Sequence, residues 1–357
     1  MIWRNQFVSW PGVPLALCSA ALFGASTPFA KLLLGQGADP WLLAGLLYLG
    51  SGIGLSMTLL LRRWAAIPSA EAPLRRTDIP WLALVILAGG IAGPVLLMIG
   101  LSQTPASSAA LLLNLEGLAT MAIAWVVFRE NVDQRILAGA TAIFVGALIL
   151  SWSGGPAPVS WGAIFIAGAC LAWGIDNNLT RKLSGADPIQ IAAAKGLVAG
   201  AVNFILALGH GAVLPPTPVV LGAGAIGLLG YGVSLALFVL ALRHLGSART
   251  GAYFSMAPFI GAVLAIGMFG ESVSIRLAIA AALMGIGLYL HLVEHHEHEH
   301  AHDAVEHEHR HFHDEHHKHT HNADDPSGEP HTHRHRHILL AHSHAHYPDL
   351  HHRHGHR

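Results

Sequence analysis

The chain has 357 residues, 53% of them hydrophobic and 11% charged, with a formal net charge of −1. Soluble domains carry roughly a quarter charged residues, and here the charges cluster between apolar runs, which excludes a large soluble core and points to a polytopic membrane protein. The near-zero net charge averages two unlike regions and gives no sign of a nucleic-acid partner.

The N-terminal stretch Met1 to Phe7 lacks the short apolar core and cleavage site of a secretory signal. The first apolar run is too long for one, so it reads as an uncleaved span. Ten candidate spans follow, at 11–34, 40–61, 80–101, 104–128, 134–151, 159–179, 189–209, 218–241, 248–270 and 275–293. Each is near the ~20 residues that a bilayer helix needs. Cys18 and Cys170 both fall inside apolar runs and imply neither a disulfide framework nor a cysteine metal site. Gly and Ala are abundant within the spans, and small residues let helix backbones approach closely where lipid supplies no hydrophobic drive between them.

Basic residues alternate between the connections. One side carries Arg4, Arg62, Arg63, Arg75, Arg76, Arg129, Arg135, Arg181, Lys182, Arg243 and Arg249, and the other only Lys31 and Arg276. An excess of Lys and Arg marks cytoplasmic connections, so both termini are expected in the cytoplasm.

The two halves of the apolar region repeat each other. Ala21-Leu22-Phe23-Gly24 with Lys31 matches Leu171-Ala172-Trp173-Gly174 with Arg181, and Gly37-Ala38-Asp39-Pro40 recurs as Gly185-Ala186-Asp187-Pro188. Ala106-Ser107-Ser108-Ala109 aligns with Ser247-Ala248-Arg249-Thr250, and Arg129-Glu130 with Gly270-Glu271. Five spans per half is an odd number, so the second half is inverted relative to the first, an architecture of transporters with the substrate site near the midplane. The expected organisation is an all-α membrane protein of ten transmembrane helices. Its domains are a first five-helix repeat at 1–151, a second at 152–293, and a tail at 294–357.

With these motifs the chain resembles the EamA family of the drug/metabolite transporter superfamily, over about residues 10 to 293. The resemblance implies a secondary carrier of the cytoplasmic (inner) membrane, usually outward-directed and often proton-coupled. Such proteins often have a proline in the middle of the fourth and ninth helices. The ninth span keeps it in Met256-Ala257-Pro258, but the fourth reads Leu115-Glu116-Gly117, so an acid stands in one half only.

Glu116 lies midway along the 104–128 run, near the bilayer midplane. A charged side chain there costs about 2.5–3.5 kcal/mol and usually faces the bundle interior with a task. Glu116 is the candidate proton or cation site, and Asn114, on a different side of the helix, reads as an interhelical hydrogen-bond partner. Asp176, Asn177 and Asn178 end the sixth span, with Asp176 about 7 Å deeper than Arg181 by helix rise. Two arrangements fit: Asp176 pairs with Lys195 at similar depth, or Asp176 with Asn177 or Asn178 forms an oxygen-rich vestibule that passes a cation towards Glu116. Lys31 and Arg181 read as snorkelling side chains, Glu130 and Glu271 as interfacial caps or pairs, and His210 and His244 as incidental.

From Glu294 the composition changes. His295, His296, His298, His300, His307, His309, His311, His313, His316, His317, His319 and His321 alternate with acidic and basic residues, and further histidines run to His356. A segment so poor in apolar residues is expected to be disordered. Imidazole ligates zinc, copper, nickel and cobalt, so the tail is expected to bind a divalent metal (nickel, cobalt or zinc) while the transporter itself needs no cofactor. An alternative is a pH-responsive polyelectrolyte.

Together these features read as a proton-coupled exporter of a divalent transition metal such as nickel or cobalt, and the tail adds a looser resemblance to the nickel/cobalt-resistance branch of the superfamily. The alternative is an exporter of a small organic metabolite, an amino acid or drug-like amine, with a metal-buffering tail. No hydrolase or nucleophile constellation is visible. The partners this reading admits are the bilayer, a small-molecule or metal-ion substrate, and a second copy in a homodimer.

Overall fold

The expected spans are helical in the computed structural model, which describes residues 12–66, 73–128, 134–152, 159–183, 186–292, 297–302, 306–311, 331–336 and 340–345. The first half contains α1 (Gly12–Gly35), α2 (Pro40–Trp64), α3 (Ile79–Val85), α4 (Gly93–Ser102), α5 (Ala106–Leu112), α6 (Leu115–Phe128) and α7 (Gln134–Ser151). The second contains α8 (Trp161–Thr180), α9 (Pro188–Gly209), α10 (Thr217–Ile226), α11 (Ser234–Phe254), α12 (Ala257–Phe269) and α13 (Ile275–Leu292). Among the described residues seven helical stretches are long and apolar enough to cross a membrane, and Ala257–Phe269 and Ile275–His291 are shorter apolar helices.

The repeated Gly-Ala-Asp-Pro motif has a plain local cause. Asp39 accepts from Leu42 N (2.9 Å) and Asp187 from Ile189 N (2.8 Å), each capping the helix that its following proline opens. A short acidic side chain satisfies an orphan N–H there, and proline at the first position loses nothing by lacking one.

The repeat extends to irregularities that the sequence does not announce. A π-helical segment, Ile86–Ala92, joins α3 to α4, and a second, Gly227–Val233, joins α10 to α11. The fourth span, expected continuous over 104–128, is broken at Leu113–Asn114, and the ninth is broken at Ser255–Met256. Discontinuous helices at membrane depth are tolerated where they line a cavity or are buried in protein.

One expectation fails. The connection expected between the eighth and ninth spans at 242–247 is helical, because α11 runs unbroken through it. Its repeat equivalent contains Pro105, which lacks an N–H and disfavours helix at the residue before it. Leu242 to Ser247 contains no proline.

Helices pair about the repeat. α2 packs on α9, and α7 on α13, each with its own repeat equivalent. Small residues permit both contacts: a Cβ added at Gly45 would sit 2.7 Å from Phe204 N, and one added at Gly146 would sit 3.0 Å from Ala280 O.

The tail also departs from expectation. Where its backbone is described, β1 (Glu297–His302) pairs antiparallel with β4 (Leu340–Ala345), and β2 (Glu306–His311) with β3 (His331–Arg336). The alternating His-x-His pattern has the two-residue period of a strand. His298, His300, His307, His309 and His311 fall in these strands. His295, His296, His313, His316, His317, His319 and His321 lie outside the described residues.

Candidate functional site

The break at Leu113–Asn114 puts Glu116 in the first turn of α6, half-buried at membrane depth. A carboxylate is favoured there because the helix N-terminus carries a partial positive charge. Asn177 on α8 donates its amide to Glu116 Oε1 (3.0 Å) and to Thr120 Oγ1 (3.2 Å), and Thr120 Oγ1 donates to Glu116 O (2.9 Å). Asn178 donates to Thr120 O (3.0 Å) and Gly174 O (2.8 Å), while its own buried Oδ1 has no partner among the described residues. These bonds stitch α6 to α8. The absence of a Cβ at Gly174 allows it, since a Cβ there would meet Ala119 at 2.9 Å.

Of the two arrangements expected for Asp176, the pairing with Lys195 is present. Its carboxylate is buried, forms an ion pair with Lys195 on α9, and accepts from Thr180 Oγ1 (3.1 Å). Asn114 turns away from Glu116: its amide donates to Leu111 O (2.9 Å) at the helix break, with Met284 of α13 beside it.

Sequence reasoning missed a second set of side chains. A π-helical turn displaces carbonyls from the usual ladder, and here they are capped from neighbouring helices. Gly89 O accepts from Tyr48 Oη (2.8 Å) and Trp173 Nε1 (3.0 Å). Gly90 O accepts from Asn203 Nδ2 (3.2 Å), whose Oδ1 accepts from Trp41 Nε1 (3.4 Å). The one signal in the sequence was the Gly89-Gly90 pair in the middle of a span.

Aromatic rings converge at the same depth. Phe23 lies 5.3 Å from Phe254, 5.9 Å from Tyr231 and 6.3 Å from Trp173 between ring centroids, and Tyr48 lies 5.4 Å from Tyr231. Trp173 and Asn177 are one helical turn apart on α8, so the helix that bonds Glu116 also carries one ring of the cluster. Among the described residues the buried Tyr231 hydroxyl has no partner in hydrogen-bond geometry, and the Ser26 hydroxyl donates to Phe23 O (2.6 Å). Among the described residues no three His, Cys, Asp or Glu side chains converge as metal ligands.

Charged residues at the Lys31 end also find specific partners. Lys31 donates to Leu101 O (2.5 Å), Ser102 O (3.3 Å) and Thr104 O (2.9 Å). Glu271 accepts from Ala106 N (2.8 Å), Ser107 N (3.1 Å) and the Ser107 hydroxyl, as an expected interfacial cap. Arg181 and Glu130 lie outside the residues whose side chains are described, as does the His244 side chain. His210 stacks on Trp41 at 5.0 Å.

The profile of the EamA-like transporter family matches residues 10–152 and 160–293. The chain belongs to this family. An uncharacterised transporter of Methanothermobacter thermautotrophicus is 30% identical over 60% of this chain and 65% of its own length, slightly under two thirds. A probable terminal-alkyne amino-acid exporter of Streptantibioticus cattleyicolor is 28% identical over 66% of this chain and 82% of its own. The uncharacterised inner membrane transporter YedA of Escherichia coli is 24% identical over 72% of this chain and 83% of its own. A crystal structure of another protein superposes with a TM-score of 0.58 at 19% identity, covering 78% of this chain and 94% of that one, a likeness of fold. This EamA-family protein is therefore a multi-pass membrane protein of a family of transporters.

Proposed function

We propose that this EamA-family protein exports a small organic compound carrying a basic nitrogen, with Glu116 as the acid that exchanges a proton for it. The supporting observation is the half-buried Glu116 carboxylate, held by Asn177 of the helix that also carries Trp173 of the Phe23–Tyr231–Trp173 cluster. A carboxylate beside aromatic faces suits an ammonium on an apolar body, through charge and cation–π attraction. A metal cage needs several converging ligands, and Asp176 is paired with Lys195. The amino-acid exporter among the relatives is consistent with an organic cargo. In the cycle, Glu116 releases its proton when cargo binds from the cytoplasm, and the two halves rock to expose the cargo to the far side.

The test uses the purified full chain in proteoliposomes under an imposed pH gradient, with proton flux read on addition of a panel of amino acids and primary amines. At least one compound should release protons with wild type and none with Glu116→Gln. Equal flux through Glu116→Gln would refute the assignment.

The tail supports a second reading, in which the cargo is nickel or cobalt and the histidines gather it. Cells producing the full chain, a chain ending at Val293, or Glu116→Gln would then be compared for nickel, cobalt, zinc and copper content. Lower content of one metal that depends on Glu116 favours this reading, and unchanged contents favour the organic cargo.

A further inference from the structure

We propose that the cavity between the last turn of α2 and the first turn of α9 binds the headgroup of an anionic phospholipid, with Arg62 and Arg63 as its phosphate clamp.

The cavity follows from how the two helices pair. Where they are closest, a Cβ added at Gly196 would sit 2.5 Å from Gly52 N. One turn further on, Leu55 packs on Ala192 and Ala193. The helices run antiparallel, and α9 begins at Pro188 while α2 continues to Trp64. The last turn of α2 therefore overhangs the start of α9. The space beneath it measures about 340 Å³ and is lined by Ser56, Leu60, Arg62, Arg63, Asp187 and Gln190.

The lining favours an anion. Two guanidinium groups stand there against one carboxylate. Asp187 accepts from Ile189 N (2.8 Å) at the positive end of the α9 dipole, so its charge is committed to the helix. Gln190 gives its Oε1 to Leu74 N (3.2 Å), which leaves its Nε2 as a donor beside the Ser56 hydroxyl. Arg62 and Arg63 are exposed, and among the described residues neither is in an ion pair. The guanidinium fork matches phosphate oxygens two at a time.

The surroundings select a lipid over a dissolved anion. Ile53, Met57, Leu60 and Trp64 form one exposed apolar stripe along α2, and Leu60 is also a wall of the cavity. An acyl chain lying on that stripe brings its phosphate to the level of Arg62 and Arg63. Trp64 ends the stripe 88% exposed, and Trp81 of α3 has Lys182 Nζ 3.8 Å from its ring centroid. Tryptophans with basic neighbours gather at the headgroup level of a bilayer. These basic connections are expected on the cytoplasmic side, whose leaflet carries anionic lipid. A second copy of the chain suits the site less, since a two-fold contact would set the arginines against themselves. The inference depends neither on the cargo nor on Glu116.

The test titrates the purified full chain in a mild detergent with phosphatidylglycerol or phosphatidylcholine, and counts bound lipid by native mass spectrometry. Phosphatidylglycerol is expected to bind about 25-fold more tightly, and Arg62→Gln and Arg63→Gln each to weaken it about fivefold, the scale of one basic side chain at a lipid surface. Arg276→Gln removes the same charge at the opposite end and should leave binding unchanged. Excess inorganic phosphate should not displace the lipid. Equal binding of the two lipids by wild type would overturn the proposal, and this comparison stands even where a variant fails to fold. Equal weakening by all three substitutions, displacement by inorganic phosphate, or a lipid-free dimer broken by Arg62→Gln or Arg63→Gln would overturn it as well.

Discussion

Lys195 on α9 is paired with Asp176 on α8, and the pair is almost wholly enclosed, with side-chain exposures of 13% and 6%. Breaking such a pair leaves one uncompensated charge, whereas replacing both partners by neutral groups of similar shape is often tolerated. Lys195→Met is therefore expected to lower stability by about 3 kcal/mol. The double variant Lys195→Met, Asp176→Asn should recover most of that loss. Thermal unfolding of the purified protein in one detergent measures both.

Gly89 O is held by two donors, Tyr48 Oη and Trp173 Nε1. Either Tyr48→Phe or Trp173→Phe leaves it one partner and should cost about 1 kcal/mol. The double variant strands a buried carbonyl and should cost more than the sum of the two. A double-mutant cycle on the same unfolding signal shows the excess, and strict additivity would mean that the π segment finds other partners.

Gly45 and Gly209 lie on the same helix pair but in different surroundings. Gly45 of α2 faces the backbone of Phe204, and Gly209 at the end of α9 has nothing within 4 Å of an added Cβ. Gly45→Val is expected to lose about 2–3 kcal/mol through overpacking and to reduce the yield of monodisperse protein. Gly209→Ala should be neutral or slightly stabilising. Fluorescence-detected size exclusion compares them directly.

Ending the chain at Val293 removes the histidine tail and none of the helices. The unfolding temperature should stay within about 1 °C, since a tail outside the helical core contributes little to it. Bound nickel, cobalt or zinc per molecule, measured by elemental analysis after equilibrium dialysis, should fall to near zero. Undiminished metal would place its site among the helices.

The helical spans were legible from apolar run length, and the shared Gly-Ala-Asp-Pro helix caps from the recurrence of that motif, because both express constraints local in sequence. Glu116 stood out for the same reason, as an acid where lipid-depth residues are apolar. The breaks at Leu113–Asn114 and Ser255–Met256 and the π segments were hidden, since composition barely changes across them. The caps on Gly89 and Gly90 come from Tyr48, Trp173 and Asn203 on three other helices, and no linear spacing records that. Lys31 was read as snorkelling because a terminal lysine usually finds water, and its carbonyl partners lie 70 to 73 positions away. The Asp176–Lys195 choice needed only three-dimensional proximity, which depth estimates from helix rise do not supply.

In the repeat, Ala257 stands where the first half has Glu116, each in the opening turn of the helix that follows its break. Two separate, identical five-helix subunits assembled head to tail would present that acid twice. In one polypeptide the two halves need not match at this position, and they do not: Glu116 corresponds to Ala257 across the repeat. On the proposed mechanism, the one carboxylate at that repeat position among the described residues takes either a proton or a monovalent cargo, and the exchange this implies is one-for-one and electrically silent.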